Sequence, residues 1–515
     1  MKFVSLLKRG ANLFKVGRAV RSLKNATDED KRRWAKKYLV EVLGQSRGLP
    51  AKAGQFMTFG KEDQDLKDAL DQAITALPFD QVVSLLEEKY QAPLDSVFKT
   101  LDEDCRSASL GQVHFGKLKS GTEVAVKVQY PEIADSVEAE MDLMGFLPKV
   151  GPVAKWGFHM DGYRDAFWNN FKQELDYRQE LAHQEKYAQL VAPLENVIVP
   201  KVFPDLSGPT VLVQSLEEGF GLEKAVTLAP NSRQAMGRVV IQHYLHMLFR
   251  HGYVHADPHP GNFAFRQTGR EKFSLIVYDY GCILQIPDEV RLGLLRIILA
   301  LQNHEPLDPL ACLSLIGFDP EKLQDLRSTL PALLHVLFEP FLIEAPYDIK
   351  EWRMSERFDQ IVGEMKWWFR SSAPPDLIFL MRTLHGLSTM LERLDAKISW
   401  RFILGKLCSD LYPEAQAVRL LEIPCDSENV LRLDGIAKYL KINVAKPNGN
   451  KVRLTMPARV ANDLIDIIDP PVMESIERQK IDLAAIQKRV HETGFIPQTL
   501  FDLKDPERDV KVWLE

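Results

Sequence analysis

The rhythm of hydrophobic and polar positions changes twice along the chain. Up to about residue 100, apolar side chains recur at helical spacing. Residues 51–59, 65–76 and 79–90 each read as a helix, with Ser46-Arg-Gly-Leu-Pro50 and Leu77-Pro78 as breaks. Near Ser107 the period drops to two. Glu123-Val-Ala-Val-Lys-Val-Gln129 sets Val124, Val126 and Val128 on one side, the strand-like run 112–118 precedes it, and Lys119-Ser-Gly121 makes the turn of a hairpin. Residues 168–190 read as one long charged helix, and 197–203 and 210–216 as short strands. From residue 232 helices dominate. The run 238–251 stops at Gly252, residues 253–265 are loop-like with Pro258 and Pro260, 273–278 is a short apolar strand, and 289–412 is helical and rich in aromatics.

The expected order is therefore a helical extension (1–104), a small strand-rich lobe (105–217), a large helical lobe (218–412) and a mostly helical appendage (413–515), an α+β chain. A cleft between a small β lobe and a large α lobe is a natural ligand site.

Composition narrows the class. The chain has 515 residues, 45% of them hydrophobic and 26% charged, with a net charge of −6. That allows several cores and excludes a polyanion binder, so nucleic acid is not an expected partner. The five cysteines are scattered and form no C-x-x-C pair, which argues against a disulfide or zinc scaffold and fits a reducing compartment. No uncharged apolar run reaches the roughly 20 residues of a membrane span. A cytoplasmic protein is the expectation. Residues 1–27 carry Lys2, Lys8, Arg9, Lys15, Arg18, Arg21 and Lys24 with no acid, interleaved with apolar residues. Such a basic amphipathic segment can lie on an anionic membrane surface, although a solvated helix packed on the domain is the commoner reading.

Phosphoryl transfer asks a protein for positive charge on the phosphates, metal ligands and a group that orients the nucleophile. Lys127 stands in Val-Ala-Val-Lys, where a strand would hold its ammonium at fixed depth. Glu180, on the following helix, could pair with it. His255-Ala-Asp257-Pro-His-Pro-Gly-Asn262 has the H-x-D-x-x-x-x-N spacing, in which Asp257 would orient or deprotonate a nucleophile and Asn262 would hold Mg²⁺. Asp279-Tyr280-Gly281 follows an apolar strand and would place a second Mg²⁺ ligand, Asp279, opposite Asn262. Each match alone has a plainer explanation: an exposed strand lysine, a helix-surface glutamate, a tight turn. Their fixed order makes coincidence a poor account. Zinc at His255 and His259 is disfavoured, because Pro258 and Pro260 forbid the helix that would align them.

Two kinase features are missing. Arg106-Ser-Ala-Ser109-Leu-Gly111 replaces a glycine-rich G-x-G-x-x-G loop, and no A-P-E segment follows Asp279 at the usual distance. An ordinary peptide-kinase substrate platform is thus not expected.

This combination resembles the UbiB/AarF family of atypical protein-kinase-like proteins, over roughly residues 49–303. Lys52-Ala-Gly54-Gln55 matches that family's K-x-G-Q, Ser109-Leu-Gly-Gln112-Val-His114 its S-x-x-Q-V-H, Glu174-Leu-Asp176 its E-x-D, and His255–Asn262 its catalytic loop. The resemblance implies a bilobal kinase-like fold and Mg-ATP as ligand. It puts Ala108, Ser109 and Gln112 with Lys127, Asn262 and Asp279 around the nucleotide. It also implies a regulatory K-x-G-Q helix across the cleft, with Lys52, Gly54 and Gln55 near Glu174 and Asp176. Asp176 and Glu180, four apart, would share a helix face. Family members are linked to ubiquinone and other isoprenoid-lipid metabolism, so lipid-biosynthetic partners are implied too. The chain departs from the family at Arg106-Ser107, where alanines are usual, and lacks the C-terminal membrane spans of some members. The expected activity is ATP-dependent phosphotransfer or ATP hydrolysis. A nucleotide-gated scaffold without catalysis and a small-molecule kinase of the aminoglycoside-phosphotransferase type stand as alternatives.

Overall fold

The computed structural model describes residues 76–107, 110–131, 133, 172–305, 308–419 and most of 437–515. Residues 1–27, Lys52, Gly54, Gln55, Ala108 and Ser109, with the helices expected at 51–59 and over nearly all of 65–76, lie outside the described residues.

The small lobe opens with helix α1 (Phe79–Tyr90), as its periodicity predicts. Pro78 precedes it, Asp80 sits in the first turn and Lys89 in the last, matching the helix dipole, and Val82 and Leu86 are buried one turn apart. Strands β1 (Phe98–Ser107), β2 (Gly111–Leu118) and β3 (Glu123–Gln129) follow. Strand β1 corrects the sequence reading, which kept helix up to residue 104. It opens on buried Phe98 but is otherwise largely exposed, so it shows little apolar alternation to recognise. Helix α2 (Tyr177–Val191) packs beneath the sheet. It is shorter than the continuous helix expected over 168–190: the chain breaks at Leu175–Asp176, and Asp176 becomes the N-cap, accepting from Arg178 N at 3.0 Å.

Two-residue strand β4 (Val197–Ile198) leads to β5 (Val211–Ser215), which completes an antiparallel sheet ordered β1-β2-β3-β5. β3 is therefore an inner strand. Its Val124, Val126 and Val128 are at most 1% exposed and join Val82, Leu86, Phe98, Val211 and Val213 in one core. By the period-two rule Lys127 lies on the opposite sheet face, toward Tyr177 of α2.

The large lobe is built on α3 (Pro230–His246), extended by one π turn over Met247–His251. Gly252 ends it at φ +57, where a Cβ would lie 2.3 Å from the Ile286 carbonyl oxygen, so only glycine fits. Strand β6 (Tyr253–His255) pairs with β9 (Ile283–Gln285), and β7 (Phe263–Gly269) with β8 (Lys272–Val277) forms a hairpin between them. Helices α4 (Asp288–Gln302), α5 (Leu330–Leu342), α6 (Leu377–Leu394) and α7 (Trp400–Cys408) continue the lobe around one large core.

The C-terminal region differs from the mostly helical appendage expected. Strands β10 (Tyr439–Ala445), β11 (Lys451–Pro457), β12 (Gln498–Asp505) and β13 (Arg508–Leu514) form an antiparallel sheet ordered β11-β10-β13-β12. Helices α8 (Pro470–Arg478) and α9 (Leu483–Thr493) come between β11 and β12, and residues including Leu440, Ile476, Val490, Leu503 and Val512 make a separate core. Ser328 and Asn462 hydrogen-bond across to the helical lobe at 2.9 Å. Among the described residues no helix is long and apolar enough to cross a membrane.

Candidate active site

Two clusters face the junction of the lobes. The first centres on Lys127. Its Nζ donates to Glu180 Oε1 at 2.9 Å and Oε2 at 2.8 Å, and to Asp279 Oδ2 at 3.2 Å. One side chain thus ties a small-lobe strand, the first turn of α2 and the loop after β8. Glu180 is 2% exposed and Lys127 17%. Burial works against the Lys127 ammonium, but the carboxylates of Asp279 and Glu180 outweigh it and hold it well above its ordinary value. The cost of desolvation falls on Glu180, whose carboxyl burial pushes up to about 7 while Lys127 pulls the other way. With the ammonium held this firmly, the contact is an ion pair. Tyr177 closes the back, its ring centroid 5.0 Å from Nζ.

The second cluster is the loop after β6. Asn262 Nδ2 donates to the Asp257 backbone oxygen and to its Oδ2, both at 3.1 Å. His259 caps the turn by accepting from Gly261 N at 3.1 Å, a structural role for this histidine. The β6–β9 ladder carries Asp257 and the Asp279 loop on neighbouring ends, locked by Ala256 N to Cys282 O at 2.9 Å. Tyr278 N donates to Asn262 O at 3.0 Å. Buried His255 donates from Nε2 to the Asp279 carbonyl, and burial lowers its basicity, so it supports the loop as a neutral ring. Tyr280 packs beneath, fully buried, with its hydroxyl on Val277 O at 2.9 Å. Gly281 N donates to Asp279 Oδ1 at 2.9 Å, fixing that carboxylate.

The other named residues divide. Glu174 is 9% exposed and lies beside the Asp279 loop, where a Cβ on Gly281 would sit 3.3 Å from its Cγ. The Asp176 carboxylate is engaged by the Arg178 backbone and guanidinium, which lowers its pKa, side-chain hydrogen bonding first. Gln112, expected at the nucleotide, is corrected: it is fully buried, its Oε1 accepts from Leu77 N at 2.6 Å, and its Nε2 donates to Leu77 O at 3.3 Å and contacts His114 Nε2 at 2.9 Å. Its amide thus tethers the segment before α1 from both sides and braces His114 on its own strand. Arg106 is the penultimate residue of β1, with its guanidinium 5.3 Å from the Phe115 ring.

Sequence reasoning missed Arg382. From α6 it forms an ion pair with Asp257 Oδ1. No local motif marks it.

A strand lysine clamped by a helix glutamate, with H-x-D-x-x-x-x-N and Asp-aromatic-Gly loops on the opposing lobe, defines a kinase-like site. Residues 69–307 match the ABC1 atypical kinase-like domain, consistent with the UbiB/AarF family of atypical kinases. Relatives include the Arabidopsis thaliana protein Activity of BC1 Complex Kinase 8, chloroplastic, 31% identical over 48% of this chain and 33% of its own length. Atypical kinase COQ8, mitochondrial, of Schizosaccharomyces pombe is 26% identical over 70% of this chain and 60% of its own. The chain thus spans between a third and three fifths of these relatives' length. Among solved structures, Rv3197 from Mycobacterium tuberculosis, in complex with erythromycin, is 24% identical with a TM-score of 0.52, over 73% of this chain and 96% of that one. This last likeness is one of fold.

Proposed function

We propose that this protein binds Mg-ATP and transfers or hydrolyses its terminal phosphoryl group, in support of ubiquinone or related isoprenoid-lipid metabolism. The single observation that carries the chemistry is Lys127 held at once by Glu180 and Asp279. A lysine so placed gives the triphosphate a fixed positive charge, and Asp279 sits beside it with a carboxylate for the cation. The donor set fits Mg²⁺: a carboxylate and, since the Asn262 amide nitrogen is turned to Asp257, an amide oxygen, both hard ligands. Bound Mg²⁺ would neutralise phosphate charge. The lipid link rests on family resemblance alone.

In the transfer, the acceptor oxygen bonds to the terminal phosphorus as the bond to the bridging oxygen breaks and ADP leaves. The acceptor's proton passes to Asp257 or solvent. Asp257, held by Asn262, orients the acceptor hydroxyl or water.

The test is Mg-ATP turnover, with and without anionic vesicles, for the wild type and Asp257→Asn. The expected loss in Asp257→Asn is at least about 100-fold, the low end for a removed acid–base group. Equal rates in both proteins would sink the catalytic reading, and nucleotide-dependent partner capture preserved in Asp257→Asn would favour a scaffold.

A further inference from the structure

The catalytic loop does not rest on the matched domain alone. Helix α6 begins well past residue 307, where the family match ends, yet one of its faces is the seat of that loop. Phe379, Arg382, Thr383 and Gly386 recur at helical spacing and so point the same way. Phe379 packs with Ala256 and Cys282, the residues flanking the two catalytic segments. Thr383 Oγ1 reaches the His255 carbonyl at 3.4 Å. Gly386 lies so close that a Cβ there would be 2.2 Å from Pro258 Cγ. In the middle of this face Arg382, its side chain 9% exposed, meets Asp257 Oδ1.

We infer that Arg382 is a positioning residue for the phosphoryl transfer, acting through Asp257. This rests on the phosphotransfer reading of the site. The two oxygens of the Asp257 carboxylate have separate holders, Arg382 on Oδ1 and Asn262 on Oδ2. Two fixed partners remove rotation about the Asp257 side chain and set the direction in which an acceptor hydroxyl can donate. Held in this way, Asp257 orients the acceptor. The site is therefore completed by a helix outside the matched domain.

The experiment uses the full chain and Mg-ATP turnover at varied ATP. Arg382→Met should lower kcat roughly 10- to 100-fold, the usual loss for a partner that orients a working group, with KM for ATP changed less than about threefold. Arg382→Lys should recover part of the rate. In an Asp257→Asn background, Arg382→Met should slow turnover by less than about threefold, because the group it serves is already gone. Melting temperatures and Mg-ADP binding show that each variant is folded. The inference is overturned if Arg382→Met keeps the wild-type rate, if it slows Asp257→Asn by the same factor as the wild type, or if the lysine variant is no better than methionine. Absence of turnover in the wild type overturns the phosphotransfer reading, and this inference with it. Wild-type turnover with any of the three failures overturns the inference alone.

Discussion

Lys127 and Glu180 form a bidentate ion pair, 2.9 and 2.8 Å, between an inner strand and the first turn of α2, with the glutamate 2% exposed. The pair joins two elements of the small lobe, and Asp279 connects it to the large lobe. It is at once a structural joint and the proposed phosphate-binding charge.

Breaking one side of it strands the other. Lys127→Met should cost about 3–5 kcal/mol, as for other buried ion pairs that lose one partner, and abolish turnover. Urea denaturation measures the stability loss. Burial already pushes Glu180 up to about 7 against the pull of Lys127, and losing Lys127 raises it further, so the loss should be smaller at pH 5.5, where the stranded group is neutral, than at pH 8. The double variant Lys127→Met/Glu180→Leu should recover most of the stability and none of the activity.

Asp279 accepts from Gly281 N on Oδ1 and from Lys127 on Oδ2, so Asp279→Asn keeps the loop contact to Gly281 but loses the Lys127 contact and the charge. The Mg²⁺ concentration for half-maximal turnover should rise by at least about tenfold, the equivalent of ~1.4 kcal/mol. A titration of rate against Mg²⁺ at fixed ATP reads this, and an unchanged midpoint would remove Asp279 from the cation site.

Gln112 separates a tether from a nucleotide ligand. Gln112→Met leaves the Leu77 N–H and carbonyl without their partner in a buried setting. This should cost about 1–3 kcal/mol. Mg-ADP affinity, measured by calorimetry, should stay within a few-fold of the wild type. A large affinity loss at unchanged stability would restore the nucleotide assignment.

Acid should unfold the large lobe early. Burial lowers His243 from 6.5 to about 3, and burial also lowers His255, while Tyr187 holds His243 by a 2.7 Å hydrogen bond. Both rings stay neutral when folded and protonate near 6.5 when unfolded, so the unfolded state takes up more protons. Stability is full above about pH 6.5 and is lost as pH falls toward the folded values. At pH 5.5 His243 alone should cost about 1.4 kcal/mol, with His255 adding in the same direction. Thermal melts between pH 5 and 8 check the slope, and His243→Gln should flatten it.

The β3 hairpin, α1, the helical large lobe and the order of Lys127, Glu180, Asp257, Asn262 and Asp279 were legible in the sequence. Each rests on local rules: alternation for a strand, turn spacing for a loop, glycine after a helix. Strand β1 was not, because most of it is exposed and so lacks apolar alternation. The C-terminal sheet carried its signal in Leu440, Ile442 and Val444 and in Val510, Val512 and Leu514, but β11 is almost wholly exposed and α8 and α9 stand between β11 and β12, which drew the reading toward helix.

Sequence by itself determined which residues could do chemistry and in what order, because motif spacing is a property of neighbouring residues. Tertiary structure alone decided which of them meet and with what. It turned Gln112 from a ligand into a tether, made Asp176 a cap, and brought Arg382 to Asp257 across 125 positions. Contacts of that kind depend on how a helix face packs on a loop, and packing leaves no fixed interval in the chain by which they could be read.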